Sequence, residues 1–445
     1  MMEPARQPKI PIRIASAVLN SLKGGVVPRI GLPYIAVGRK AEIDALLHDV
    51  EIVADGGASF RFIVGKYGSG KSFLLQTIRN YVMDRNFVVV DADLSPERRL
   101  QGTKGQGLAT YKELVRNMST KTRPEGGALT LILDRWISGV QTAVAAETAL
   151  SPEDPAFAKA VEQKIYDVIR ALNEMVHGFD FARLLILYYR SYLADDEDTK
   201  ARVVKWFRGE YALKSEAKAE LGVNIIITDD DWYEYLKLFA MFLKNAGYSG
   251  MMVLIDELVN IYKIPNSITR QYNYEKILTM YNDALQGKAQ YFGVIMCGTP
   301  QCMEDPRRGI YSYEALRSRL AQGRFSDEQT LDLLSPVIRL QPLTQEELLV
   351  LTEKLADIHA GLYHYERQLR EPELAAFLRV EYSRIGADNR LTPREVIRDF
   401  IELLNLLYQN PSLTTEALLQ SGDFAFSEAD AQEESADTGF VEFEL

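Results

Sequence analysis

The strongest constraint on this chain is a short glycine-rich motif between a predicted strand and a predicted helix. Residues 65–72 read GKYGSGKS and match the pattern G-x4-G-K-S/T. Residues 60–64 before the motif are rich in β-forming side chains, and residues 72–83 after it have helical apolar spacing. This order is the context in which the motif binds nucleotide phosphates, whereas a glycine-rich turn without a ligand is the alternative.

The residue types in this loop match the parts of a triphosphate. Glycines let backbone N–H groups approach phosphates without a Cβ clash, and the first turn of the following helix offers unpaired donors and a positive dipole end. Lys71 is expected to place its charge between the β- and γ-phosphates of ATP, and the Ser72 hydroxyl is expected to bind Mg²⁺. The other residues expected to form the cradle are Gly65, Lys66, Tyr67, Gly68, Ser69 and Gly70.

A pair of carboxylates follows a second apolar strand. Residues 251–257 read MMVLIDE, a run typical of a buried strand that ends in two acids. We expect Asp256 to hold Mg²⁺ through its water shell and Glu257 to polarise the attacking water. The adjacent pair favours hydrolysis over binding alone, and an ordinary strand followed by an acidic helix cap is the alternative.

A third apolar strand, predicted over residues 291–297, is followed by a hydroxyl. Thr299 lies between Gly298 and Pro300, at the carboxyl edge of the predicted sheet. We expect Thr299 to contact the γ-phosphate as a sensor 1 residue. A threonine that only begins the next turn is the alternative.

Two later groups of arginines are further candidates for the phosphate site. Arg317 and Arg319 lie on one predicted helix, in the region from which AAA+ proteins project an arginine finger into a neighbouring subunit. Arg394 follows Thr392 as predicted N-cap and Pro393 at the first helical position, which resembles the sensor 2 arginine of an AAA+ lid. A fixed positive charge offsets the negative charge that develops in phosphoryl transfer. Arginines on a helix surface are the alternative for all three.

A weaker signal precedes the loop. Gly38 and Arg39, with Glu42 shortly after them, lie where AAA+ chains have a turn that closes over adenine. This pattern carries weight only through its order with the other motifs.

The order of elements predicts an α/β fold, namely an AAA+-type P-loop NTPase with a parallel sheet, a long helical insertion and a C-terminal helical lid. The segment between residues 93 and 250 has mostly helical patterns and is too long for a loop. The predicted segments are an N-terminal arm outside the core at 1–33, the ATPase core at 34–96 and 247–339, the insertion at 97–246, the lid at 340–410 and an acidic disordered tail at 411–445.

Composition excludes several classes of protein. No apolar stretch reaches the roughly 18 residues of a membrane helix and the first thirty residues lack a secretory signal, so we expect a cytoplasmic protein without membrane contact. Two cysteines, Cys297 and Cys302, are too few for a disulfide framework or a four-ligand zinc site. The eight carboxylates of residues 421–445 account for most of the formal net charge of −11 and leave −3 on the rest, so DNA binding would need a local basic patch.

Longer stretches of sequence resemble the AAA+-like ATP-binding proteins of BREX bacteriophage-defence loci, particularly the short BrxD-like members. The resemblance covers roughly residues 24–408 and does not extend to the acidic tail. It implies an accessory ATPase of an antiviral system that works with a helicase of the same locus, with DNA as a further partner. The stretches are FRFIVGKYGSGKSFLL, DADLSPERRL, TYKELVRN, RPEGGAL, NYEKILTMYNDALQG, GTPQCMEDPRRGIYSYEALRSRL and LTPREVIRDF.

Two hypotheses of function follow. The favoured one is an ATPase whose site is completed by a neighbour's arginine, so that self-association, hydrolysis and binding of DNA or a helicase are coupled. The alternative is a slow, nucleotide-gated scaffold that recruits partner proteins through its helical insertion. A kinase is less favoured because the Asp-Glu pair suits water as the phosphoryl acceptor.

Overall fold

The computed structural model describes residues 10–148, 150–151, 153–172, 174–321, 332–385 and 392–420. These residues form two compact units. The sheet unit comprises residues 41–65 and 77–339, and the helical unit comprises residues 1–40, 66–76 and 340–445. Each unit has its own hydrophobic core.

A five-stranded parallel sheet forms the centre of the sheet unit, in the spatial order β2-β3-β4-β1-β5. Its central strands are almost entirely buried, as expected of a parallel sheet with both faces covered. The α/β prediction is confirmed. The short strand β5 was not predicted, because three residues carry too little periodicity to be recognised. The strands are β1 (Ala58–Val64), β2 (Val88–Asp93), β3 (Met251–Asp256), β4 (Phe292–Gly298) and β5 (Val337–Arg339).

Helices cover the faces of this sheet. None of the helices in the described part of the chain combines the length and apolarity needed to cross a lipid bilayer. They are α3 (Lys40–Ala54), α4 (Lys71–Asp84), α5 (Gln106–Arg116), α6 (Leu129–Thr148), α7 (Pro155–Leu172), α8 (Gly178–Leu193), α9 (Glu197–Phe207), α10 (Lys214–Leu221), α11 (Trp232–Asn245), α12 (Val259–Tyr262), α13 (Ser267–Leu285), α14 (Pro300–Glu304) and α15 (Glu314–Leu320). Helix α4 begins in the helical unit and continues into the sheet unit.

The segment predicted as a helical insertion shares one core with the sheet. Three tryptophans of this segment, Trp136, Trp206 and Trp232, are almost completely buried within it. The indole N–H of Trp206 donates to the carbonyl of Ile225 at 2.8 Å, and that of Trp232 donates to Leu100 at 3.0 Å. Because large aromatic side chains supply much of the burial energy of a core, the insertion stabilises the sheet unit as a whole.

A buried ion pair fixes strand β1, which leads into the glycine-rich loop. The Arg61 guanidinium donates to both carboxylate oxygens of Asp49 on α3, at 2.5 and 2.8 Å. It also donates to the carbonyl of Leu334 at 2.8 Å. A bidentate pair of this kind sets orientation as well as contributing energy, so β1 is held in a defined position against α3.

The helical unit packs six helices around a second apolar core. Helix α1 contributes Ala15, Val18, Leu19 and Leu22, and it packs against α16 and α18. Burying a valine or leucine side chain stabilises by about 1.5–3 kcal/mol, so α1 is a structural helix and not the arm outside the core that was predicted for residues 1–33. The helices are α1 (Ile12–Lys23), α2 (Leu32–Ile35), α16 (Gln345–Tyr363), α17 (Glu371–Ile385), α18 (Pro393–Gln409) and α19 (Thr415–Gln420).

Ordered structure also continues beyond residue 410, where the tail was predicted to begin. Helix α19 packs against α17, and Leu418 is buried in the core of the helical unit. The acidic residues 421–445 lie outside the described part of the chain.

Candidate functional site

The carboxyl ends of four strands are tied together at one edge of the sheet unit. The amide of Leu94, just after β2, donates to the carbonyl of Asp256 at the end of β3, at 3.1 Å. The amide of Leu258 donates to Cys297 of β4, and that of Gly65 donates to Gly298, both at 3.1 Å. Side chains that follow these strands are therefore held on a rigid frame.

The two predicted acids after β3 differ in environment. Asp256 is 9% exposed, and its Oδ1 accepts a hydrogen bond from the amide of Glu257 at 2.8 Å. The Glu257 side chain is exposed, and its backbone adopts φ 61°, in the left-handed region that a glutamate rarely enters. Strain of this kind concentrates at functional sites, and it turns the Glu257 side chain toward solvent while Asp256 stays anchored.

A third carboxylate lies at the same edge and was not singled out from the sequence. Asp93 ends β2 directly opposite Asp256 in the parallel register. Burial raises the pKa of the Asp93 carboxyl, and the negative charge of Asp256 raises it further. The signal was present in the sequence, since VVVDAD is a buried strand that ends in an acid just as MMVLID does. Within the described residues, no group of three or more His, Cys, Asp or Glu side chains is close enough to hold a metal alone.

Thr299 caps a short helix. Its side-chain oxygen accepts from the amide of Cys302 at 3.3 Å, which makes Thr299 the N-cap of α14. The structure thus displays the turn-starting role that the sequence left as the alternative. Its contact with a γ-phosphate remains a prediction.

Arg317 and Arg319 lie on α15 with exposed side chains that make local contacts. The Arg317 guanidinium pairs with Glu314 one turn earlier at 2.9 Å, and its side chain is 55% exposed. Arg319 donates to the carbonyl of Ala315 at 2.6 Å on the same helix. Exposed i,i+3 pairs are weak, so these guanidinium groups are readily available to another molecule.

The basic pair Arg307–Arg308 has structural partners. Both backbone amides donate to Asp305, at 2.7 and 2.9 Å. The Arg308 guanidinium lies 5.2 Å over the ring of Tyr262 and donates to the Tyr262 carbonyl at 3.3 Å. Arg308 therefore holds this turn in place.

Residues 66–70 of the glycine-rich loop lie in the helical unit, and α4 begins directly after them at Lys71. Gly70 has φ +94°, and apart from Gly70 and its two chain neighbours no atom of the described residues lies within 4 Å of the point where a Cβ would be. This backbone conformation favours glycine, and the open space beside it lies at the N-terminus of a fourteen-residue helix. The arrangement fits a phosphate group, because the first-turn N–H groups of a helix attract anions. The Lys71 ammonium donates to the carbonyl of Lys66, at 2.8 Å.

The predicted adenine turn contacts the loop within the same unit. Gly38 and Arg39 both have positive φ values of 61° and 62°. The Arg39 guanidinium donates to the carbonyl of Ser69 at 3.2 Å. The turn therefore braces the glycine-rich loop, and its contact with adenine remains a prediction.

Arg394 lies at the start of α18, as predicted. Thr392 is the N-cap, Pro393 is at the first helical position, and a capping box joins Thr392 to Glu395. The structure adds a contact that the sequence did not indicate: the Arg394 guanidinium lies 5.0 Å over the ring of Tyr67 in the loop. A residue of the C-terminal helices and a residue of the loop are thus in contact.

Comparison with known proteins agrees with this set of features. None of the curated proteins matches the chain. A family model described as the BREX system ATP-binding protein BrxC/D matches residues 10–423, which includes both units and every candidate residue above. The chain therefore belongs to the family of BREX system ATP-binding proteins BrxC/D.

Proposed function

We propose that the chain is an AAA+-type ATPase that binds ATP at the glycine-rich loop and hydrolyses it. Membership of the family supports an ATP-binding component of a phage-defence system. The observation that carries the proposal is the connection of buried strand β1 to GKYGSGKS and α4, in a parallel sheet whose β3 ends in Asp256 and Glu257. A phosphate-binding loop and an acid pair from one parallel sheet are the parts that phosphoryl transfer to water requires.

Each residue has a separate electrostatic role in this proposal. Backbone N–H groups of the loop cradle the phosphates, and the Lys71 ammonium neutralises charge on the β- and γ-phosphates. Glu257 accepts the proton of the attacking water, and its side chain is exposed to solvent. Thr299 orients the γ-phosphate through its hydroxyl.

Magnesium would be held by the Ser72 hydroxyl and, through water, by the anchored carboxylate of Asp256. These oxygen donors suit Mg²⁺, which keeps several waters and is bound by one or two protein groups together with substrate phosphates. When bound, the ion neutralises charge on the phosphate oxygens.

The arginines divide the remaining work. We propose that Arg394 acts in the chain that binds the ATP, because it already lies beside the loop. Arg317 and Arg319, on the exposed face of α15, are proposed to act on the ATP of a neighbouring copy, which requires a head-to-tail assembly. Activity is then coupled to self-association and, through it, to DNA or to a helicase of the same defence locus.

Steady-state ATP hydrolysis at several protein concentrations tests the proposal, with single- and double-stranded DNA present or absent. Glu257→Gln serves as the blank, and Lys71→Ala should lose ATP binding in equilibrium dialysis. Lys121→Ala is the matched lysine control, because its partner is the surface residue Asp84. We expect specific activity that rises with protein concentration.

Two results would contradict the proposal. Equal turnover by wild type and Glu257→Gln would exclude Glu257 as the base. Tight ATP binding with turnover no higher than the blank would favour the nucleotide-gated scaffold, which recruits partners without hydrolysis.

A further inference from the structure

Three segments of the helical unit meet around the start of α18, and one of them is the glycine-rich loop, whose third residue is Tyr67. The Arg394 guanidinium lies over one face of the Tyr67 ring. Thr392, two residues earlier, lies against the neighbouring Gly68, where a Cβ would come within 2.7 Å of the Thr392 hydroxyl. The N-terminal segment lies against Arg394 as well, because a Cβ on Gly25 would be 2.9 Å from the Arg394 guanidinium. The start of α18 is therefore seated on the loop.

The Arg394 guanidinium is held beside the loop by packing against Gly25 and by the Tyr67 ring. Its Nε is buried and has no hydrogen-bond partner among the described residues. Among the described residues no carboxylate pairs with Arg394, so the charge of its guanidinium remains available to an incoming anion. The Tyr67 ring attracts the cation through its electron-rich face without neutralising it, which a carboxylate would do.

Tyr67 has no evident structural reason to be aromatic. Its side chain is 48% exposed, so it contributes little to a core. The pattern of the loop accepts any residue at this position, so phosphate binding by the backbone does not demand a tyrosine either. The contact with Arg394 is what the ring supplies.

We propose that Tyr67 is a positioning residue, which orients the Arg394 guanidinium beside the phosphate-binding loop before ATP arrives. The orientation selects for the γ-phosphate, because the extra negative charge of ATP over ADP is what a poised cation detects. This inference rests on ATP being the ligand of the loop. It adds a source of ATP-over-ADP preference that lies within one chain.

Measured dissociation constants for ATP and ADP test the inference in wild type, Tyr67→Phe and Tyr67→Leu, each with and without Arg394→Ala. Phenylalanine keeps the ring face, and leucine keeps apolar bulk without it. We expect Tyr67→Phe to match wild type and Tyr67→Leu to weaken ATP binding by about two- to fivefold, the usual range for an exposed cation–π contact. ADP binding should stay unchanged, and Tyr67→Leu should have no effect when Arg394 is already alanine.

The matched control is Tyr272→Leu, since Tyr272 is a tyrosine of similar exposure, 51%, on α13. Its ATP-over-ADP preference should equal that of wild type. An equal loss of ATP and ADP binding in Tyr67→Leu would overturn the inference, as would an undiminished effect of Tyr67→Leu in the Arg394→Ala background. Failure of wild type to bind ATP would instead overturn the proposed function, and the positioning role with it.

Discussion

The start of α18 and the end of α15 both present arginines, but the surroundings of those arginines differ. Arg394 is half-buried and lies between an aromatic ring of the loop and the Gly25 turn. Arg317 and Arg319 are exposed, and their contacts are to their own helix. A guanidinium fixed by its own chain is prepared to act in that chain, whereas one held by a weak exposed pair is prepared to meet another molecule.

This difference turns one chemical group into two functions. Ordering a long arginine side chain costs up to about 2 kcal/mol of conformational entropy, and Arg394 loses this freedom when the chain folds. Arg317 and Arg319 would lose it only when a partner docks. We therefore expect Arg394 to affect nucleotide choice in the single chain, and Arg317 and Arg319 to make activity depend on assembly.

The largest expected effect comes from the exposed pair. Arg317→Ala or Arg319→Ala should lower the ATPase rate of the assembled protein by about 10³-fold, the lower range for an arginine finger supplied in trans. Mixing the defective variant with Glu257→Gln should restore activity, because each supplies what the other lacks. The measurement is ATP turnover across a range of mixing ratios.

Arg116→Ala is the control for that experiment. Arg116 forms the same type of i,i+3 contact with Glu113 near the end of α5 and is 80% exposed. Its turnover should be that of wild type. A lack of rescue in every mixture would remove the contrast between the two groups of arginines.

Arg394→Ala should produce the next largest effect, a loss of about 10²-fold in kcat, as for removal of one preorganised donor. Mixing with Glu257→Gln should not rescue it, because Arg394 is proposed to act within its own chain. Arg398→Ala, an exposed arginine one turn later on α18, is the matched control. Rescue of Arg394→Ala in the mixture would mean that Arg394, like Arg317 and Arg319, acts on the ATP of a neighbouring copy.

The packing that carries Arg394 should depend on pH. His359 of α16 is buried, contacts Tyr365 at 2.9 Å and Asn405 of α18 at 3.3 Å, and has a pKa lowered by burial. The unfolded state therefore takes up the proton first, so stability is complete above about pH 6.5 and falls as pH drops from there to the lowered folded pKa.

The slope is at most about 1.4 kcal/mol per pH unit for one proton. Urea unfolding followed by helical circular dichroism at pH 7.5 and 5.5 measures it. His359→Gln should be less stable at pH 7.5 and should lose this part of the pH dependence. A pH slope that is unchanged in His359→Gln would exclude His359 as its source.

The smallest expected effect tests the contact between Gly25 and the Arg394 guanidinium. Gly25 and Gly287 share φ +69°, yet only Gly25 has the Arg394 guanidinium within reach of an added Cβ. Both alanine variants should be destabilised by about 1 kcal/mol through backbone strain. Gly25→Ala alone should also change the ratio of the dissociation constants for ATP and ADP, by a few-fold at most. An equal ratio in the two variants would show that the contact with Gly25 does not hold Arg394 in place.

The parts of the site that the sequence predicted are those with local signals. The loop, the strand before Asp256 and the cap formed by Thr392 and Pro393 each depend on residues close in the chain. The contact between Tyr67 and Arg394 joins positions more than 300 residues apart, and no periodicity indicates such a pair. Pairing of distant segments is decided by the packing of whole helices.

The misassigned α1 shows the same limit in the fold. Residues 1–33 were predicted to form an arm outside the core, although Ile12–Lys23 is an amphipathic helix. Whether an amphipathic helix is covered depends on a partner surface, which α16 and α18 provide only after folding. Asp93 was missed for another reason, because its position opposite Asp256 can be inferred only when the strand order is known.

The burial of the three tryptophans has a practical consequence. They are the only tryptophans in the chain, and all three belong to the sheet unit. Indole fluorescence therefore reports on the sheet unit alone, because the helical unit contains no tryptophan. The unfolding of the sheet unit can thus be followed by its intrinsic fluorescence, without a single label being added.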